Sequence, residues 1–247
     1  MTKLFTTSNL FKYSLCILSN ILLHGEHTMA RIKDASTKNS LKTYRQKRDL
    51  TKSPEPKATI PSKKTDNIFV IHKHQASHLH YDLRLAYDGV LKSWAIPKGP
   101  SLNPSDKRLA VQTEDHPFDY KDFEGVIPEG YGAGTVMLWD SGTYHNIKQK
   151  DGALVPFDEC LEKGTIEIFF DGEKLKGGYA LVRMGDADSN QWLLIKMRDE
   201  YASTRRNPVN TKNKSVKTGR TMTQIAQACP TKPCAKSGKK KVEKGAL

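Results

Sequence analysis

Four of the chain's eight histidines fall within His72-Lys-His-Gln-Ala-Ser-His-Leu-His-Tyr-Asp-Leu-Arg84, where a carboxylate and a guanidinium follow at two-residue steps. Side chains alternate across a strand, so a strand over 79–86 would set His80, Asp82 and Arg84 on one face. Tyr81, Leu83 and Leu85 would occupy the other. Imidazole with carboxylate suits manganese, iron or zinc, and arginine's planar fork suits phosphate oxygens. A metal-dependent phosphoesterase is the chemistry this invites. His74, six residues before His80, extends the ligand set; His72 and His78 compete for inclusion, and spacing alone does not separate them. Two histidines and a carboxylate are equally the facial triad of iron oxygenases, with His116 or His145 as the distal ligand.

A second constellation is Thr113-Glu-Asp-His116-Pro-Phe-Asp-Tyr120, just after a strand-like run and on a Pro-containing loop. Such loops often carry catalytic groups. His116 and Tyr120 could donate hydrogen bonds to a phosphate or shuttle a proton. Glu114, Asp115 and Asp119 read mostly as solvated turn residues. Gly130-Tyr-Gly-Ala-Gly134 resembles a nucleotide loop only in its glycines: no Lys-Ser/Thr follows, and the next residues look like a strand. It reads as a bend between strands. In Trp94-Ala-Ile-Pro-Lys98, Lys98 could reach a phosphate as a point charge, and Trp94 reads as core.

Those groups need a scaffold. From Asn67 onward, short β-branched runs alternate with Gly, Pro, Asn and Asp, predicting strands near 68–73, 79–86, 90–96, 108–114, 134–140, 164–171, 178–184 and 191–197. Asp88-Gly89 marks a two-residue hairpin, and Asp140-Ser-Gly142 reads as another turn. Pro156–Lys163 reads as a helix. Many short strands closely spaced by turns predict a mainly β fold, an antiparallel barrel or sandwich with one or two short helices.

Charge divides the chain. Residues 1–66 carry 13 Lys and Arg against 5 Asp and Glu, residues 67–201 carry 15 against 21, and residues 202–247 carry 12 against 1. The expected layout is an arm over 29–66, a mildly acidic folded domain over 67–201 and a basic disordered tail over 202–247. Basic flanks would add sequence-independent attraction to a phosphate backbone. Cys16, Cys160, Cys229 and Cys234 are too scattered for a disulfide framework and fit a reducing cytoplasm. The apolar run Leu15–Leu23 is too short to span a membrane. Residues 1–28 read as a gene-model extension or a disordered segment, with Met29 as the true start.

Taken in order, Phe69-Val-Ile-His-Lys-His74, Leu79-His-Tyr-Asp-Leu-Arg84-Leu, Gly89–Pro100, Lys107-Arg-Leu-Ala-Val, Glu114-Asp-His-Pro, Asp122–Gly130 and Gly177–Met184 resemble the 3′-phosphoesterase domain of bacterial DNA ligase D. The likeness runs from about Tyr44 to Tyr201. It implies a small closed β-barrel that removes 3′-phosphates and 3′-terminal ribonucleosides from DNA 3′ ends near primer–template junctions, usually with manganese. On the matching motifs, His74, His80 and Asp82 would hold the metal, and Arg84, His116 and Tyr120 would engage the phosphate. Lys98 would support them, and Arg48, Asp49 and Glu55 of the arm would fold over the site. The chain departs from the family where His72 stands in place of a common Gln, and where the loop at Glu129-Gly-Tyr131 is one residue shorter. No polymerase or ligase motif appears, so the resemblance implies a stand-alone version working with a separate DNA ligase and end-joining proteins. A non-catalytic DNA-end-binding module of the same fold is the alternative.

Overall fold

The computed structural model describes residues 40–61 and 67–228. Its strands are β1 (Ile68–Gln75), β2 (Leu79–Tyr87), β3 (Val90–Ile96), β4 (Lys107–Gln112), β5 (His116–Pro117), β6 (Gly125–Ile127), β7 (Gly134–Asn146), β8 (Gln149–Lys150), β9 (Ala153–Leu154), β10 (Thr165–Gly172), β11 (Lys176–Arg183) and β12 (Gln191–Lys196). The helices are α1 (Lys42–Lys47), α2 (Phe157–Glu162), α3 (Pro208–Thr211) and α4 (Met222–Gln227), with a 3-10 turn at Phe118–Asp122.

Eight strands pair antiparallel in the order β1-β2-β3-β4-β12-β11-β10-β7, and β7 pairs back onto β1 to close the barrel. Closure leaves no open edge among these eight. The barrel follows directly from the period-2 pattern. Phe69, Ile71, Leu83, Leu85, Trp94 and Trp192 point inward and are fully buried. Each large apolar side chain contributes about 1.5–3 kcal/mol through burial. Trp94 therefore belongs to the interior, stacked edge-on against Trp192. The β2–β3 turn is the expected one: Asp88 and Gly89 both have positive φ, as a tight hairpin requires.

Both barrel ends are plugged. At one end α2 brings Phe157 against Tyr87 and Tyr144. The other end carries the β1–β2 turn and is crossed by the chain after Tyr201, which sets Val209, Met222 and Ile225 against the interior. Three expectations change here. Residues 202–228 form an ordered strap with two short helices, α4 being fixed by a capping box between Thr221 and Gln224. The α-helices number four among the described residues, above the one or two expected. Asp140-Ser-Gly142 is no turn, because β7 runs straight through it.

At that point β7 makes a bulge: Ile71 faces Asp140 and His72 faces Leu138, leaving Trp139 as the extra residue. The Asp140 carboxylate accepts the backbone N–H groups of Ser141, Glu173, Lys174 and Leu175, so it caps the β10–β11 turn. Burial nevertheless pushes its pKa up to about 6. Cys160 is buried and unpaired. Residues 1–39, 62–66 and 229–247, including the expected extension, the rest of the basic tail and the other three cysteines, lie outside the described residues. Among the described residues no helix is long and apolar enough to cross a membrane.

Candidate active site

The site lies on the outer face of the barrel wall made by β1, β2 and β3. Register sets its polar groups in rows: His74 faces His80; His72, Asp82 and Ala95 align; and Val70, Arg84 and Ser93 align. A second, smaller core formed by Leu41, Tyr44, Leu91, Tyr120, Phe123 and Val136 packs over this wall and carries the arm and the 116–127 segment with it. Between wall and cover lies a cavity of about 210 Å³, lined by eleven polar or aromatic side chains that include Arg48, His80, Asp82, Arg84 and His116.

His74, His80 and Asp82 offer ligand atoms that all lie within 4.8 Å of one another. The tautomers follow from the neighbours. His74 Nε2 sits 2.9 Å from the Gly132 carbonyl and His80 Nδ1 sits 3.0 Å from the His78 carbonyl. A carbonyl only accepts, so these nitrogens donate, and each ring turns its other nitrogen toward Asp82. Those nitrogens lie 3.7 Å (His74 Nδ1) and 3.5 Å (His80 Nε2) from the carboxylate oxygens. Burial works against ionising Asp82, but Arg84, His74 and His80 outweigh it and hold the carboxyl well below the usual range. Two imidazoles and an ionised carboxylate fit a divalent transition metal. Neither His116 nor His145 joins this cluster; the histidine that stands with His80 and Asp82 is His74.

Arg84 is fixed on three sides. Its Nη2 donates to Asp82 Oδ2 (3.1 Å), Nη1 to Ser93 Oγ (2.9 Å) and Nε to His72 Nδ1 (3.3 Å), and its guanidinium lies over the Tyr120 ring. His72, fully buried, is thereby a support for Arg84; burial and the Arg84 charge push its pKa down to about 3. His116 donates from Nδ1 to the Glu114 carbonyl (2.8 Å), leaving Nε2 as an acceptor 3.0 Å from Arg48 Nη2. Burial, Arg84 and Arg48 hold its pKa well below the ordinary value, so the ring is neutral. Tyr120 donates to Glu55 Oε1 (3.0 Å), and burial raises its pKa well above the usual phenol value.

Arg48 is the centre of the cover. It pairs with Glu55 (3.0 Å) and Glu114 (2.7 Å) and stacks on Tyr44. Of the predicted residues, then, His74, His80, Asp82, Arg84, His116, Tyr120, Arg48 and Glu55 converge on one cavity. Two do not. Lys98 is exposed on the β3–β4 loop, and Asp49 is exposed with its carboxylate taken up by Thr51. Three contributors were missed. Glu114, expected as a solvated turn residue, has a side chain only 2% exposed and anchors Arg48 and Lys47. Ser93 and the Gly132 carbonyl orient Arg84 and His74. The bend at 130–134 is as expected, and Gly134 is obligatory because a Cβ there would lie 2.2 Å from the Gln75 carbonyl.

Residues 72–183, which include His72, His74, His80, Asp82, Arg84, Ser93 and His116, match the DNA ligase D 3′-phosphoesterase domain. This region belongs to that domain family. The chain is 48% identical over 169 residues to the multifunctional non-homologous end joining protein LigD of Pseudomonas aeruginosa, a match covering 66% of this chain and 19% of that protein. It is 44% identical over 191 residues to the Mycolicibacterium smegmatis protein of the same name, covering 74% and 24%. With the LigD end joining DNA repair protein of Mycobacterium tuberculosis it shares 40% identity over 186 residues, covering 74% and 23%. The phosphoesterase-family region thus spans about a fifth to a quarter of the length of these relatives.

Proposed function

We propose that this chain is a metal-dependent phosphoesterase that removes 3′-phosphates and 3′-terminal ribonucleosides from DNA ends in support of end joining, in the cytoplasm and with manganese as its metal. The observation that carries the reading is the direct contact of Arg84 with Asp82, which couples a phosphate-binding fork to a three-ligand cluster in one buried cavity. The end joining function named for the relatives supports the choice of DNA as substrate.

Held by His74, His80 and Asp82, a divalent ion would supply Lewis-acid polarisation of a phosphate oxygen. The chain's own groups do the rest. Arg84 and Arg48 present guanidinium N–H donors to the remaining phosphate oxygens, pre-aligned by Ser93, His72, Glu55 and Glu114, so little reorganisation is needed as charge builds. Arg48 would exchange its contact with His116 for one with the substrate. His116 then faces the phosphate with Nε2 alone, since Nδ1–H is committed to Glu114. A bound dianion offsets the two arginine charges that keep the ring neutral, so His116 would take up a proton on binding and return it to the leaving oxygen. Tyr120 stays protonated and orients Glu55. Trimming leaves a 3′-hydroxyl, so a DNA ligase is the partner this chemistry calls for.

A gel assay on 5′-labelled primer–templates ending in 3′-phosphate or a single ribonucleotide tests this, with manganese, magnesium, zinc or EDTA. Manganese-dependent trimming that disappears in Asp82→Ala, with the fold retained, is the expected outcome. Trimming of equal rate in Asp82→Ala would refute the site; no trimming with tight end binding would leave a binding module.

A further inference from the structure

Residues 202–228 contain six Lys and Arg and no Asp or Glu, yet they fold against a barrel domain in which acidic residues outnumber basic ones. The strap is fastened mainly by its backbone. Tyr81 donates to the Val209 carbonyl (3.4 Å), Trp139 Nε1 to the Lys212 carbonyl (2.5 Å) and Lys174 Nζ to the Lys214 carbonyl (2.5 Å), while Val216 N–H donates to Leu138 (3.0 Å). Apolar anchors complete the fastening, with Ile225 only 2% exposed. Lys217 and Arg220 are also used, gripping the Asp122 carbonyl and the Glu124 carboxylate.

Arg205, Arg206, Lys212 and Lys214 are different. All four are exposed, and among the described residues none has an acidic side chain within ion-pair distance. Holding the strap needs their main chains and leaves their charges free. Burial pushes the Lys174 amine at the same place down to about 8, against the opposing pull of the Asp140 and Glu173 carboxylates.

Position gives this surface its meaning. The strap crosses the barrel end at which the β1–β2 turn carries His74 and His80, and its 215–220 turn then grips the segment that follows Tyr120. The four unpaired cations therefore lie on the part of the strap that precedes this turn, where it crosses the barrel end. Repeated cations without acceptors or carboxylates suit a sugar–phosphate backbone, which they fix in place without reading sequence. The geometry points to the strap, through Arg205, Arg206, Lys212 and Lys214, as the track for the backbone of the DNA duplex behind the 3′ end. The identity of that DNA rests on the phosphoesterase reading; the track itself is a separate claim about where the duplex lies.

The test uses the full chain and a fluorescent primer–template with a 3′-phosphate, its binding followed by anisotropy across a salt series in EDTA. Lys212→Ala/Lys214→Ala should reduce the slope of log affinity against log salt by about 2, at roughly 0.9 per lost phosphate contact. In turnover with metal, KM for the same DNA should rise several-fold with kcat unchanged. Lys150→Ala/Lys163→Ala, which removes equal charge at the opposite barrel end, should leave the slope and KM as they were. An unaltered slope in the strap variant overturns the proposal and would turn attention to an acidic protein as occupant; an equal loss in the opposite-end variant overturns it too. Failure of the unaltered chain to trim DNA would instead sink the phosphoesterase reading, since the salt slope is read without turnover.

Discussion

The two segments that flank the barrel are alike in composition and opposite in what they deliver. The arm sends charge inward: Arg48 and Glu55 are buried over the β1–β2–β3 wall and reach His116 and Tyr120. The strap sends apolar side chains inward, with Val209, Met222 and Ile225 plugging the barrel, and leaves most of its charges outside. A Lys-rich flank can thus complete an active site or complete a core. What decides is whether its few apolar residues meet the barrel's open end or its polar outer wall.

Paired substitutions break or sharpen that contrast most strongly. Arg48→Lys keeps the charge and loses the fork that spans Glu55, Glu114 and His116, so kcat should fall by roughly 10²-fold. Its melting temperature should fall less than that of Ile225→Ala, because lysine keeps a charge beside Glu55 and Glu114. Ile225→Ala should do the reverse, costing roughly 2–5 kcal/mol of stability while turnover per folded molecule at low temperature stays unchanged. Melting curves beside steady-state rates check both; exchanged effects would erase the distinction between the flanks.

A smaller effect is tied to the wall that the arm covers. His72 and His116 are kept neutral by burial and arginine charge, with folded-state pKa values below the ordinary one. As pH falls below about 6.5 the unfolded chain binds a proton at each ring while the folded chain does not. Stability therefore falls toward acid by about 1.4 kcal/mol per pH unit per ring, and the His72 share ends near its folded value of about 3. His72→Gln should flatten the decline in urea midpoint between pH 7 and 5. Parallel declines for the two proteins would show that His72 is not held neutral by the fold.

The wall was legible because alternation along β2 is a local rule: apolar Tyr81, Leu83 and Leu85 dictate that His80, Asp82 and Arg84 share the other face. Strand and turn patterns reached a mainly β barrel or sandwich; the closed barrel and the family came from the resemblance of the ordered motifs. Glu114 was not legible, since a carboxylate on a Pro-containing loop looks solvated until Arg48, 66 residues earlier, is brought onto it. The strap was hidden for a similar reason. Its anchors are single apolar residues among lysines, and the helix-start signals Asn207-Pro208 and Thr221-x-x-Gln224 have no long apolar period behind them. Asp140-Ser-Gly142 carries turn-forming residues, but the carboxylate serves a different turn, at 172–175. Composition around Lys98 and Asp49 gave no sign that their side chains face solvent.

The most direct test of the metal cluster on which the account depends is a manganese titration of the purified chain, followed by loss of the free-ion electron paramagnetic resonance signal. One ion should bind per chain, equally in Arg48→Lys and Ile225→Ala below their melting temperatures, and binding should be lost in Asp82→Ala. Undiminished binding in Asp82→Ala would contradict the assignment of these ligands.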